Sequence, residues 1–405
     1  MKNNIVLLLL IVLACNSEEH EKKPKIISFI ANPDSITSGQ STMLSWDVSG
    51  AETIFIDNNI GIVSGTLKTV TPAFTTIYKL KASNKAGIDS AITTVIVNSN
   101  PTNYIGIAQK YPGDLKIEED ADVIFTEMFE EATISNMMTY WNQKTTVSSN
   151  IVFDKSVPSG SLGSQSLQLK TIDDGTNANE NTFIYKQLNP DITDSIFVRY
   201  YIKYDNTTAY HHSGVYVGGK NPPSPTAGQK SGVKPLGNVE FHVGTEITGA
   251  ARQNPADYSK FGFYNYWMGM HPYTTGPNAG SYYGNEFINN STANNISLTS
   301  WHCIEMMIKL NSPVSASNGE LKLWVDGVQI FHLGYMFPVG TWSEAFFTEG
   351  SGIPFEGFQW RNDPALNLNY IWLKNFNDNN NANHIGSIFF DHLVIAKKYI
   401  GPISK

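Results

Sequence analysis

Apolar and polar positions alternate with a period of two along most of this chain, and sustained helical periodicity is absent. Short alternating runs at 26–30, 42–48, 53–56, 67–70, 76–82 and 91–97 read as strands. Between them stand turn clusters such as Asn32-Pro33-Asp34, Ser49-Gly50, Asp57-Asn58-Asn59 and Asn84-Lys85-Ala86-Gly87. A second, longer series follows at 166–170, 182–187, 196–204, 239–246, 262–268, 302–310, 320–325, 328–333, 370–374 and 387–396. The pattern predicts an all-β chain: a small β-sandwich over 25–98, a linker over 99–121, and a large sandwich of two antiparallel sheets over 122–405. The linker holds the turn Tyr111-Pro112-Gly113-Asp114 and the acidic patch Glu118-Glu119-Asp120.

The first fifteen residues break the alternation. Lys2 precedes an apolar run from Ile5 to Ala14, too short for the roughly 20 residues that span a bilayer and right for a secretory signal. Val12-Leu13-Ala14-Cys15 resembles the lipobox of bacterial lipoproteins, which implies a signal over 1–15, lipidation of Cys15 and a membrane anchor there. The polar stretch that follows makes 16–24 a tether. Asn16-Ser17-Glu18-Glu19-His20-Glu21 resembles the acidic tag of surface-exposed outer-membrane lipoproteins. With Cys15 lipidated, Cys303 has no disulfide partner, so core burial must hold the fold together.

Composition narrows the functions. The net charge of -8 and the pI near 5.6 argue against nucleic acid as a partner, because phosphate binding needs a basic face. No Walker loop, dinucleotide fingerprint, CxxC or HExxH is present. Aromatics make up 12% of the chain and are spaced by Asn, Gly, Ser and Thr, which suits the flat C–H faces and hydroxyls of sugars as well as a sandwich core.

Two stretches resemble known folds. The segment from Ser35 to Gly87 is similar to bacterial immunoglobulin-like modules, with Leu44 and Leu80 where antibody domains carry a disulfide, and Trp46 and Tyr78 beside them. The large domain, with FTEMFEEA, GELKLWVDGVQIF and SIFFDHLVIAKKYIGPI, resembles concanavalin-like jelly rolls. Within that class it is similar to alginate-lyase-type polysaccharide lyases, although their short signature strands are not intact. The resemblance implies a polysaccharide groove on one curved sheet, no cofactor beyond a structural calcium, and Asp391 in FFDHL as one place for that ion.

Strand parity selects the candidates. Arg199, Tyr201 and Lys203 share a face, as do Glu240 and His242, Tyr264 and Tyr266, Glu305 and Lys309, and Tyr370, Trp372 and Lys374. Tyr210-His211-His212 precedes the Gly-rich segment 214–220, which reads as a loop at the rim of the groove, and Tyr282–Glu286 reads as a second loop. Cleavage of a uronic-acid polymer by β-elimination needs a group that neutralises the carboxylate, a base for the adjacent C–H and an acid for the departing oxygen. Arg199 or Lys309 is the candidate neutraliser, His242 (or His211 or His212) the base, and Tyr264 or Tyr266 the acid. Tyr201, Lys203, His211, His212, Glu240, Glu305, Tyr370, Trp372 and Lys374 are the candidate binding residues.

A glycoside hydrolase would need two carboxyls about 5–5.5 Å apart for retention. Glu240 and Glu246 lie about 20 Å apart at strand rise, the ExDxxE strand is missing, and Glu240 with Glu305 requires adjacent strands. A surface protein that holds glycan without cutting it is the remaining alternative. The expected partner is an acidic polysaccharide, with Arg199, His242, Tyr264 and Glu305 meeting in one groove.

Overall fold

The computed structural model describes residues 22–37, 40–58, 60–72, 76–98, 105–173, 180–205, 212–247, 260–289, 291–376 and 384–404. Cys15, the signal, most of the tether, and His211 lie outside them. The chain divides into two units, Met1–Asn98 and Ser99–Lys405.

Among the described residues the first unit has eight strands: β1 (Lys25–Asn32), β2 (Ser35–Thr37), β3 (Thr42–Ser49), β4 (Thr53–Ile56), β5 (Gly61–Val63), β6 (Leu67–Val70), β7 (Thr76–Asn84) and β8 (Gly87–Asn98). They form a sheet in the order β1-β3-β6 and another in the order β2-β8-β7-β4-β5. Leu44, Trp46, Ile56, Tyr78, Leu80 and Val95 are buried between them. Leu44 and Leu80 are both fully buried in this core.

The second unit carries β9 (Val123–Glu127), β10 (Gln143–Lys144), β11 (Ile151–Asp154), β12 (Ser166–Asp173), β13 (Asn181–Ile192), β14 (Ser195–Tyr204), β15 (Gly214–Lys220), β16 (Glu240–Ile247) and β17 (Phe261–Tyr266). It continues with β18 (Asn285–Ile288), β19 (His302–Lys309), β20 (Glu320–Val325), β21 (Val328–Leu333), β22 (Val339–Ser343), β23 (Phe346–Glu349), β24 (Ile353–Pro354), β25 (Leu368–Phe376) and β26 (His384–Ala396). One short α-helix, Ile134–Met137, interrupts the described strands.

A ten-stranded sheet runs β10-β13-β25-β15-β16-β17-β18-β23-β22-β24, and an eight-stranded sheet runs β11-β12-β26-β14-β19-β20-β21 with β9 on β26. Val198, Tyr200, Ile202, Ile304, Met306 and Ile308 of the second sheet pack against Val215, Val217, Phe241, Val243, Ile371 and Leu373 of the first. This is an all-β jelly-roll-type sandwich. Burying such apolar faces releases roughly 25 cal/mol per Å², so the alternate positions on each strand are left for other work.

Two segments differ from the sequence reading. Gly214–Lys220 is a buried central strand, paired with β16 and β25, and the expected rim loop is therefore part of the sheet floor. Glycine has low strand propensity, but here the flat backbone lets neighbouring rings cross it. Residues 105–121 pack on the outer face of the eight-stranded sheet, where Ile107, Ala108 and Ile117 meet Val394, Ala396 and Ile400.

Candidate functional site

Register across the ten-stranded sheet lines up three rows of side chains on the face away from the core. Tyr370, Gly218, His242 and Tyr266 form one row. Tyr185, Trp372, Tyr216, Gly244, Tyr264 and Glu286 form the next. Phe183, Lys374, Gly214 and Glu246 form the third. They floor a cavity of about 340 Å³ whose walls include His212, Tyr216, Gln229, Ser231, His242, Tyr264, Tyr266, Trp372 and Lys374.

The glycines make this arrangement possible. Tyr370 and His242 stand two strands apart, about 10 Å at normal strand spacing. A Cβ on Gly218 would meet the Tyr370 Oη at 2.4 Å and its ring at 2.7 Å, and without it Tyr370 lies across β15 and brings its Oη to 2.7 Å from His242 Nδ1. A Cβ on Gly244 would likewise meet the Tyr216 ring at 2.3 Å.

The hydrogen bonds set the state of His242. Tyr370 Oη lies 2.7 Å from His242 Nδ1 and 3.3 Å from the Phe241 carbonyl; with its proton on that carbonyl it accepts from Nδ1–H, and Nε2 is then the ring acceptor. The imidazole stacks on Tyr216 with centroids 4.8 Å apart and the planes 20° from parallel. Burial, reinforced by the nearby Lys374 charge, lowers the His242 pKa to about 3, so the ring is neutral at physiological pH.

Around it stand the other groups. Tyr266 is raised above the usual phenol range by burial, and Tyr264 is raised well above it for the same reason, so both keep their O–H. Their hydroxyls are 3.4 Å apart, and the Gly284 N–H donates to Tyr264 Oη at 3.0 Å. Lys374 Nζ lies 5.1 Å from the Trp372 ring centroid and 4.8 Å from that of Phe376. Glu246 is fully buried, accepts the Tyr216 hydroxyl, and lies 3.2 Å from His212 Nδ1. The His212 ring is 4.3 Å from the Tyr264 ring.

The structure thus brings together His212, His242, Tyr264, Tyr266, Trp372 and Lys374 from the sequence-derived set, with Tyr370 directly beneath. Glu240 lies on the same strand face, half-buried beyond the cavity walls. Tyr216, Glu246 and Tyr185 were not selected from the sequence. For Tyr216 the signal was present: it shares parity with Gly214 and Gly218, but the segment reads as a loop.

Arg199, Tyr201, Lys203, Glu305 and Lys309 are elsewhere. Their parity holds, since Arg199 pairs with Glu305 across β14 and β19, but that face is the outer face of the other sheet. Alternation separates two faces without saying which of them curves into a groove. Arg199 is fully buried and donates to Asp114 at 2.6 Å. Glu305 accepts the N–H groups of Ile400 and Gly401 at 2.7 and 2.8 Å, and Tyr201 Oη accepts the Ile403 N–H at 3.0 Å. Lys309 pairs with Glu320 at 2.8 Å. Lys203 lies 4.2 Å from the Phe389 ring centroid and donates to Ser156. Arg199, Glu305 and Tyr201 hold 105–121 and the C-terminal segment to the sheet.

Asp391 is buried, with Oδ1 accepting the His392 N–H, and burial pushes its pKa up to about 8. Among the described residues no group of three or more His, Cys, Asp or Glu side chains is placed to hold a metal ion.

No family model and no curated protein matches the chain. Among solved structures it is similar to the alginate lyase Aly36B, at 11% identity over 69% of this chain and 98% of that one, with a TM-score of 0.44. It is also similar to the alginate lyase vAL-1 from Chlorella virus, at 14% identity over 68% and 100%, TM-score 0.44. The cellulose induced protein Cip1 matches at 12% identity over 69% and 99%, TM-score 0.35. Likeness of this degree does not bear on activity.

Proposed function

We propose that the cleft of the ten-stranded sheet takes an acidic polysaccharide and cleaves it by β-elimination. The observation that carries this reading is the convergence of a cation, a neutral imidazole and two neutral phenols, Lys374, His242, Tyr264 and Tyr266, on one cavity. Lys374 takes the place that the sequence reading gave to Arg199 or Lys309. Its ammonium pairs with the uronate carboxylate and acidifies the adjacent C–H. The bound carboxylate also offsets the Lys374 charge that depresses His242, so the base strengthens as substrate binds. His242 Nε2 removes the proton, the C–O bond to the leaving sugar breaks as the C=C bond forms, and Tyr266 O–H protonates the departing oxygen. Trp372 and Tyr216 offer ring surface for the sugars, and His212 with Glu246 braces Tyr264.

The hydrolase reading is weaker at this cleft. Glu246 is occupied by Tyr216 and His212, and Glu240 and Glu305 lie on different sheets. We further propose that Cys15 is lipidated and that the first unit, read as immunoglobulin-like, spaces the cleft from an outer membrane.

A panel of polyuronates and neutral glycans tests the activity, with ultraviolet absorbance of unsaturated ends and total reducing ends both recorded. Absorbance rising with reducing ends on a polyuronate is expected. Reducing ends without absorbance indicate hydrolysis, and binding to immobilised polyuronate with neither signal indicates a glycan-holding protein. Either result rejects the lyase.

A further inference from the structure

On the outer face of the eight-stranded sheet, three residues far apart in sequence are joined by hydrogen bonds that no feature of the cleft requires. Ser161 Oγ lies 2.8 Å from His392 Nε2, and His392 Nδ1 lies 2.7 Å from Asp114 Oδ2. Arg199 donates to the same Asp114 oxygen at 2.6 Å. Donor and acceptor chemistry fixes the direction of the chain. Burial opposes ionisation of Asp114, but Arg199 and His392 outweigh it and hold its pKa below the usual carboxylate range. An ionised Asp114 only accepts, so His392 Nδ1 carries a proton, and in the neutral ring Nε2 accepts the Ser161 O–H.

The surroundings favour reactivity. Asp114 and His392 hold φ of 60° and 46°, left-handed values that cost energy in a non-glycine residue and are kept where neighbours impose them. Gly160, at φ 92°, closes a turn in which the Ser161 N–H donates to the Pro158 carbonyl at 3.1 Å, and it presents Ser161 half-buried at the surface. The Gly163 N–H donates to Ser161 Oγ at 2.9 Å and would steady a developing alkoxide.

We infer that Ser161, His392 and Asp114 form a nucleophilic triad that accepts the acyl group of small esters, with Arg199 as the positioning residue for Asp114. In the forward step Ser161 Oγ bonds to the ester carbonyl carbon and its proton passes to His392 Nε2. The bond to the alcohol oxygen then breaks, and His392 returns the proton to the departing alcohol. Water, deprotonated by His392, releases the acid and restores Ser161, so ester and water give acid and alcohol. This inference is independent of the lyase reading, which involves the opposite sheet.

The test is reaction of the full chain with a fluorophosphonate, which forms an Oγ–P bond as fluoride leaves, followed by peptide mass mapping. A single adduct on Ser161 is expected, absent in Ser161→Ala. In His392→Asn, chosen because asparagine tolerates left-handed φ, the labelling rate should fall roughly a hundredfold or more. Thermal melting shows that each variant is folded. If His392→Asn unfolds, Asp114→Asn serves in its place, with the same fall expected. No adduct on the wild type, an adduct on another serine, or equal labelling of Ser161 in the folded variants overturns the inference. The network would then be a strut that pins 112–114 to the sheet.

Discussion

Arg199 and His242 are both buried, and opposite consequences follow from their partners. Arg199 has a counter-ion in Asp114, and removing one member of such a pair leaves the other charged and unpaired. Arg199→Leu should therefore lower stability by about 3–5 kcal/mol, read by denaturant unfolding, while the folded fraction keeps its affinity for ligand in the cleft. A loss of cleft binding without a loss of stability would return Arg199 to the groove. His242 makes its side-chain hydrogen bond to the neutral Tyr370, and burial outweighs the charge of the nearby Glu246. With a folded pKa of about 3 against an ordinary value near 6.5, it stays neutral as pH falls through this window while the unfolded chain takes up a proton. Its contribution to stability is thus present above pH 6.5 and is lost towards pH 3. Nitrogen NMR should show a His242 ring that does not titrate between pH 5 and 8 and carries its proton on Nδ1. Tyr370→Phe should remove that tautomer preference and slow turnover more than it weakens binding. Residue identities were legible in the sequence, but the partners were not, because Asp114 and Arg199 are 85 positions apart.

At the scale of the element, the cleft depends on glycines in β15 and β16. Strand alternation put His242, Tyr264, Tyr266, Trp372 and Lys374 on the correct relative faces, because pleating alone fixes parity. It missed β15, since two adjacent glycines and a preceding His pair mimic a turn. The structure shows instead that Gly218 and Gly244 are bare positions over which Tyr370 and Tyr216 lie. Gly244→Ala would push the Tyr216 ring off Glu246 and into the cavity. Overpacking of this kind costs about 1–3 kcal/mol, so the variant should fold with a lowered melting temperature and lose ligand affinity. Unchanged affinity, measured by calorimetry, would show that the Tyr216 position is irrelevant to the cleft.

At the scale of the whole molecule, each unit buries its own core: Leu44, Trp46 and Leu80 in one, the facing sheets of the large sandwich in the other. A chain beginning at residue 99 should fold and keep the cleft activity of the full protein. Failure of that fragment to melt cooperatively would show that the units depend on each other. The all-β class followed from periodicity, which reports local pleating. Which sheet faces a ligand did not follow, because it depends on how 105–121 and the last residues wrap one outer face and leave the other open. The central claim is that an acidic sugar chain lies on the ten-stranded sheet, and the most direct measurement is a crystal structure of the protein with a uronate oligosaccharide. A carboxylate of the sugar paired with Lys374, and a ring carbon facing His242 Nε2, is the expected result. Sugar seated on the eight-stranded sheet or on the first unit, with the cleft empty, would contradict the account.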